Sequence, residues 1–400
     1  MLFARAEIMF KVVVGHSDDA DADYAIADVL KQCQAELVGQ QPQAGILLSA
    51  VDFDYDVMLT AIYGTYPDLQ LIGGTTDGEV SSQAGFQQDS VLLVLFASDA
   101  ISIQAGVGRS ASVDPFEAAQ QAVTQARQGQ SSDPVLGLTV AESLHLNSVS
   151  ILESLQLVLG ERFPLFGGLA GDQARFQQTY QFFNQQVMTD SIPVLLFFGP
   201  LKFSYGMAHG WTPISQRGTI SAVGKNCVES INNEPALELY DYYLSGLTPS
   251  PEYPLAIFEK ESDSFYLRAP VGCDRTTGQI QFLVDIPAHV DAQIAHATQE
   301  DILKACETAS SQALEHYPGT QPAAALMFTC CTRRYLLGTR TEEEFQITQR
   351  LLPSALPLAG FYSYGEISPV SSQDDAHDQG QTGKGCLNHE TFVLLLLGCD

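Results

Sequence analysis

The sequence predicts an α/β fold built from repeated units, strand, helix, strand, helix, glycine turn, strand, that form mixed sheets flanked by helices in two lobes. Three observations carry that expectation. A glycine turn bearing an acid occurs three times, as LQLIGGTTDGE over 69–79, FPLFGGLAGD over 163–172 and PLAGFYSYGE over 357–366, with the acid after Gly78, Gly171 or Gly365. Each turn precedes a strongly hydrophobic segment: VLLVLF over 91–96, PVLLFF over 193–198 and FVLLLLG over 392–398. Upstream, His16, Arg109 and His296 each stand five residues before Asp21, Asp114 and Asp301, and Ala25, Ala118 and Ala305 follow four residues later.

In chain order, each unit starts with a short strand and an aspartate placed to cap a helix. Such a carboxylate accepts orphan N–H groups and suits the positive end of the helix dipole, and a small residue one turn later permits close packing. The apolar runs GILLSAV (45–51), PVLGLTV (134–140) and AALMFTC (324–330) supply the second strand. A second helix, the glycine turn and the last strand complete the unit. The spacing sets the units near 11–98, 99–199 and 288–400, and leaves 201–287 outside the repeat as a seam between lobes. That seam holds SYGMAHGWTPIS (204–215), a strand, turn and helix over 218–244 with a proline near the first helical turn, and the strand SFYLRAPVG (264–272) carrying Arg268.

Composition narrows the setting. Four hundred residues with 45% hydrophobic content suit two or more domains. A net charge of −28 with no lysine–arginine cluster repels phosphate and anionic lipid, which argues against nucleic-acid and membrane-surface partners. The start MLFARAEIMFKVVVGH puts an arginine and an acid where a signal needs an apolar run, and TFVLLLLGCD is shorter than the about 20 residues of a bilayer span. The expectation is a soluble, cytoplasmic protein. Eight cysteines without a C-x-x-C pair fit reduced thiols and do not suggest zinc. Cys330 and Cys331 are adjacent and lie close to Arg333 and Arg334.

Enzyme motifs are missing: there is no G-x-S-x-G, no G-x-x-x-x-G-K-[ST] and no H-E-x-x-H, and GVGRSA (106–111) lacks the third glycine of a dinucleotide fingerprint. A hydrolase using Cys331 as nucleophile and His209 as base is the remaining enzymatic reading. Ligands of open α/β sheets sit beyond the carboxyl ends of strands, and that rule nominates Arg333, Arg268, His209, Tyr362, Tyr364, Glu366 and Cys331. Arginine, glutamate and aromatic rings together suit a zwitterion, so an amino-acid-like ligand is expected. His377, inside SSQDDAHDQG, reads as a solvated loop residue.

GGTTDGEV, FGGLAGD, AHGW.PI, EPALELY, YLRAP, C.RR and PLAGFYSYGEISP followed by N.ET resemble, in that order, the FIST family of bacterial signal-input proteins. The resemblance covers nearly the whole chain and implies an N-terminal FIST region over 1–232 and a C-terminal FIST region over 233–400. It further implies a sensor of small ligands that acts beside a histidine kinase, a cyclic-dinucleotide enzyme or a chemotaxis receptor. The chain itself shows no recognisable kinase, cyclase or DNA-binding segment. Some members resemble haem proteins that report nitric oxide to a kinase; on that alternative His209 is the candidate axial ligand. Where the family often shows histidine and then asparagine before the last strand, this chain has Asn388 and then His389.

Overall fold

The computed structural model describes residues 10–145, 148–258, 263–370 and 383–399; His377 and its acidic loop lie outside them. Three repeats are present. The first runs through strand Phe10–Ser17, helix α1 (Ala22–Leu37), strand Ala44–Ser49, α2 (Tyr55–Thr65), strand Gln70–Thr75, a hairpin of Glu79–Ser81 and Gly85–Gln87, and strand Val91–Ser98. The second follows the same order with Ser102–Arg109, α3 (Pro115–Ala126), Leu136–Ala141, α4 (Ser148–Leu159), Leu165–Leu169, the hairpin Gln181–Phe183 and Gln186–Met188, and Ser191–Phe198. In each, the two middle strands are parallel and the first and last antiparallel, giving the mixed sheets expected.

The third repeat corrects the sequence reading. Its first strand is Lys202–Ala208, which pairs antiparallel with Phe392–Gly398 as Phe10–Ser17 does with Val91–Ser98. Packing confirms the equivalence. A Cβ on Gly206 would lie 1.9 Å from the Ala309 carbonyl oxygen, one on Gly106 2.0 Å from that of Ala122, and one on Gly15 2.4 Å from that of Val29. Only glycine lets each helix lie that close to its strand. After Lys202–Ala208, the chain leaves the repeat, and α6 (Gln299–Glu315) resumes it. Ala324–Cys330, α7 (Cys331–Leu337), α8 (Glu342–Leu351), Leu358–Ser363, the hairpin Glu366–Pro369 and Gly385–Asn388, and Phe392–Gly398 complete it.

The intervening 209–297 form the second lobe, a nine-stranded sheet carrying helix α5 (Ala236–Leu244). His296 ends a strand of this lobe, Asp291–His296, and is not the counterpart of His16. The helix signal held while the strand signal failed. Asp21 and Asp114 cap α1 and α3, and Asp301 completes a capping box with Thr298 on α6. Counting back from a capping acid gives no sign of an insertion when the insertion itself ends in a strand.

The repeats exchange their hairpins in a closed cycle. The hairpin of the first extends the sheet of the third, that of the third extends the second, and that of the second extends the first. Alternate residues of the last strands point two ways. Leu92, Val94, Leu195, Phe197, Leu395 and Leu397 share one core between the three sheets. Val91 and Leu93, Ile192 and Val194, and Phe392 and Leu394 pack instead against their own helices. Among the described residues no helix is long and apolar enough to cross a membrane.

Candidate functional site

The glycine turns meet where the parallel strands end. The Gly171 N–H donates to the Thr75 carbonyl at 2.9 Å, Asp77 N–H to Tyr362 at 2.9 Å, and Tyr364 N–H to Leu169 at 3.3 Å. These three bonds link the second turn to the first, the first to the third and the third to the second. The hairpin starts then repeat one arrangement. Glu79 accepts from the hydroxyls of Thr76 and Ser90; Glu366 accepts from Ser363 at 2.9 Å and from Thr391 at 2.8 Å. In the second repeat the position is Gln181, whose carbonyl oxygen accepts from Ser191. Asp172 is therefore not the counterpart of Glu79 and Glu366, although it also follows a glycine. The second turn is longer, and Asp172 instead accepts from the N–H groups of Phe176, Gln177 and Gln178.

Of the residues nominated by sequence, Arg333, Tyr362 and His209 gather at one place. Arg333 is fully buried and donates through Nε (2.9 Å) and one terminal nitrogen (2.6 Å) to Glu344 of α8, and to the carbonyls of His209 and Ile302. Tyr362 donates to the same carboxylate at 2.7 Å. The guanidinium fork thus ties α6, α7 and α8 together. Glu366 lies apart, fully buried, with burial the main cause raising its carboxyl to about 7. Arg268 lies at the edge of the inserted lobe, where it donates to the Leu387 carbonyl at 3.1 Å and its guanidinium faces the Tyr266 ring. Tyr364 donates to Asp172 and packs in the same apolar cluster as Cys331.

Of the acids that surround Cys331, sequence reasoning nominated Glu366 and passed over Asp77 and Glu390. Asp77, Glu390 and Glu366 all lie near enough to act on its thiol by charge. Asp77 has one oxygen held by Arg334 at 2.7 Å and by the Tyr335 hydroxyl at 2.6 Å, while the other is buried with no partner. Glu390, beside the Thr332 hydroxyl, is buried with neither oxygen in a hydrogen bond. His389 accepts from the Ala269 N–H through Nδ1, which leaves its Nε2 without a partner. Asp77 was visible as the acid inside TTDGE, and Glu390 as the acid of the NHET segment. Nothing in the one-dimensional pattern announces that the latter is buried.

His209 does not fit the axial ligand of a haem. An axial histidine coordinates through a bare nitrogen while its other nitrogen donates a proton to an acceptor. His209 does the reverse: its Nδ1 accepts from the Trp211 N–H at 3.0 Å, so the neutral ring carries its proton on Nε2. Burial and the charge of Arg333 lower its pKa to about 4. A cavity of about 20 Å³ in the shared core is apolar, lined by residues such as Ile46, Leu138, Phe328 and Phe361, and is far smaller than the ~300–1,000 Å³ of a ligand pocket. No group of three or more histidine, cysteine or acidic side chains is placed to hold a metal among the described residues. The environment of Cys331 also opposes a nucleophile, because burial and the nearby carboxyls raise its thiol pKa.

Comparison with known proteins agrees with the motif order. Over 386 residues the chain is 24% identical to an uncharacterized protein of Mycobacterium tuberculosis, covering 92% of this chain and 97% of that one. It is 22% identical over 385 residues to one of Mycobacterium bovis, covering 92% and 96%. Among solved structures, a cyanuric acid hydrolase from A. caulinodans aligns over 98% of this chain and 99% of that one at 8% identity, with a TM-score of 0.36. The model of the FIST N domain matches residues 43–234 and that of the FIST C domain residues 236–369. FIST domains are sensory domains of signal-transduction proteins that bind small ligands. This chain belongs to the FIST family.

Proposed function

We propose that this protein is a cytoplasmic sensor that binds a small, amino-acid-like ligand and regulates a partner signalling protein, such as a histidine kinase or a cyclic-dinucleotide enzyme. In this reading the FIST regions 1–232 and 233–400 act as one body, with the ligand held near the interlocked turns. The observation that carries it is the set of buried, unpartnered polar atoms on Asp77, Glu390, His389 and Arg268 beside those turns. Buried polar groups without a partner cost free energy, about 1–3 kcal/mol each, so a fold that retains several of them at one end of its sheets is poised for a guest. Of the residues nominated from sequence, Glu366, Tyr364, Cys331 and Arg268 border this region; Arg333, Tyr362 and the His209 carbonyl support it from behind. A ligand shifts the protein only by its differential affinity for two arrangements, and the inserted lobe, which contacts the last hairpin through Arg268, is the part suited to move.

The test pairs thermal-shift titration across the amino acids with activity assays of a neighbouring kinase or cyclase, with and without the stabilising compound. The expected result is one amino-acid class that raises the melting temperature and changes partner activity in the same concentration range. Stabilisation without any change in every partner tried would remove the signalling role.

A further inference from the structure

We infer that the space around Cys331, between the Asp77 and Glu390 carboxyls, is a subsite for a primary ammonium group. The inference rests on the sensor reading above and deepens it by assigning residues and charge to one end of the ligand. Two fully buried acids of different repeats are tied to the helix that Cys331 opens: Asp77 is held by Arg334 and Tyr335, one turn on from Cys331, and the Glu390 carbonyl accepts from Arg333 at 3.4 Å. Between them they hold three unpaired oxygens: Oδ1 of Asp77 and both of Glu390. An ammonium group supplies three N–H donors and a positive charge, which is the complement of that set.

The repeat makes the choice of Glu390 more telling. The last strands align through their helix-facing residues, so Ser90, Ser191 and Thr391 correspond, and each donates to the residue that opens a hairpin. The preceding residues are then Asp89, Asp190 and Glu390, an acid in every repeat. Asp89 accepts from Gln173 at 2.7 Å, and Asp190 accepts from the N–H and hydroxyl of Ser112 at 2.7 Å, both in exposed settings. Glu390, at a positive φ like Asp190, is the one of the three that is sealed and has lost such partners. A carboxyl that only closed the turn would gain by being polar and neutral or by facing water, as its counterparts do.

Charge balance also favours a cation. Asp77 and Glu390 leave acceptor oxygens open, Glu366 is occupied by Ser363 and Thr391, and Arg333, bound to Glu344, brings no free positive charge. Arg334 neutralises Asp77 from the outer side. The rim is formed there by Arg334 and by Tyr335, which is 47% exposed and whose hydroxyl holds Asp77, so displacement of Tyr335 opens the route in. Burial, with Cys330 and Glu366 nearby, raises the Glu390 carboxyl well above the usual carboxylate range. Entry of R–NH3+ then leaves a carboxylate–ammonium pair and releases the Glu390 proton to solvent.

The experiment is calorimetric titration of the full chain with methylammonium chloride and with glycine, using tetramethylammonium chloride and sodium chloride as controls. Methylammonium is expected to bind and tetramethylammonium, which has no N–H donor, is not. Glu390→Gln is expected to weaken methylammonium binding about tenfold or more. The variant removes a buried acid without changing size, so folding is retained; Asp77→Asn serves as the second variant. Repeating the titration in two buffers of different ionisation enthalpy should reveal one proton released per amine bound. Equal binding of tetramethylammonium, unchanged affinity in Glu390→Gln, or no binding of methylammonium or glycine overturns the subsite. If another amino acid still stabilises both wild type and Glu390→Gln, the sensor reading survives that failure; if no amino acid does, both fall together.

Discussion

Glu79 and Glu366 occupy one position in two repeats: each follows a glycine, accepts from a hydroxyl three residues earlier, and accepts from the residue that precedes or opens the last strand. Burial raises Glu79 to about 8 and Glu366 to about 7. Their hairpins are the ones the first and third repeats hand to a neighbouring sheet. The two acids therefore fasten strand ends at the points where one repeat is joined to another.

That relationship sets a pH dependence. The Glu366 carboxyl shifts from an ordinary 4.5 to about 7, so the folded state holds the proton more tightly than the unfolded one. Its stabilising contribution is full below pH 4.5 and is lost as the pH rises through 7. Glu366→Gln cannot ionise. Relative to wild type, the variant should gain on the order of 1–3 kcal/mol between about pH 5 and about pH 8, read from urea midpoints. His16 and His209, both lowered to about 4 by burial, destabilise the fold as the pH falls below 6.5, but they cancel in the difference. A flat difference would mean that Glu366 is ionised throughout.

The glycines of the third strands give a second outcome. Gly167 has a φ of 142°, and a Cβ there would lie 1.9 Å from the Thr139 carbonyl oxygen; at Gly73 the figure is 1.8 Å from Leu47. Backbone meets backbone, so no rotamer relieves it. Gly167→Ala should cost more than about 4 kcal/mol or yield no folded protein. Gly64, in α2, has nothing within 4 Å of its would-be Cβ. Gly64→Ala should stabilise by about 0.5–1 kcal/mol in thermal melts.

Much of this fold was legible because its signals are local. Glycine turns, apolar strands and capping acids place Asp21, Asp114 and Asp301 correctly at three helix starts. The first strand of the third repeat was not legible, because Gly206 is separated from α6 by an inserted lobe with strands of its own. Hairpin exchange was equally hidden, since pairing of Glu79 with Phe361 depends on nothing between them in sequence. At the site, glycine-turn acids were visible but their partners were not. Whether Arg333 offers its fork to a ligand or to Glu344 is decided by where α8 packs, and Glu344 sits in a run of three acids that reads as a solvated helix start.

The Arg333–Glu344 pair should therefore behave as structure. Removing one partner of a buried ion pair leaves the other uncompensated, at a cost of about 3–5 kcal/mol. Arg333→Ala should lose that much in denaturant unfolding, since the carbonyls of His209 and Ile302 lose their donor as well. Tyr362→Phe, which removes one bond to Glu344 and leaves the charge paired, should cost about 1 kcal/mol. An Arg333→Ala variant as stable as wild type would remove the pair from the framework.

The loop after the second glycine turn gives the last outcome. The Tyr364 hydroxyl donates to Asp172 and accepts from the Ala174 N–H at 2.8 Å, and its ring stacks on Phe176 at 4.9 Å. Asp172 in turn holds the N–H groups of Phe176, Gln177 and Gln178. The third repeat thus orders a loop of the second through one hydroxyl. Tyr364→Phe keeps the ring stack and removes both hydroxyl bonds, so the global cost should be about 1–2 kcal/mol. Local opening is cheaper than global unfolding, and hydrogen exchange should quicken at Ala174 and at 176–178 while the Gly171 amide, bonded to Thr75, keeps its protection. Asp172→Ala should quicken the same amides further, because it removes their acceptor. Equal exchange in wild type and Tyr364→Phe would show that the loop is held by Asp172 and the stacked rings alone.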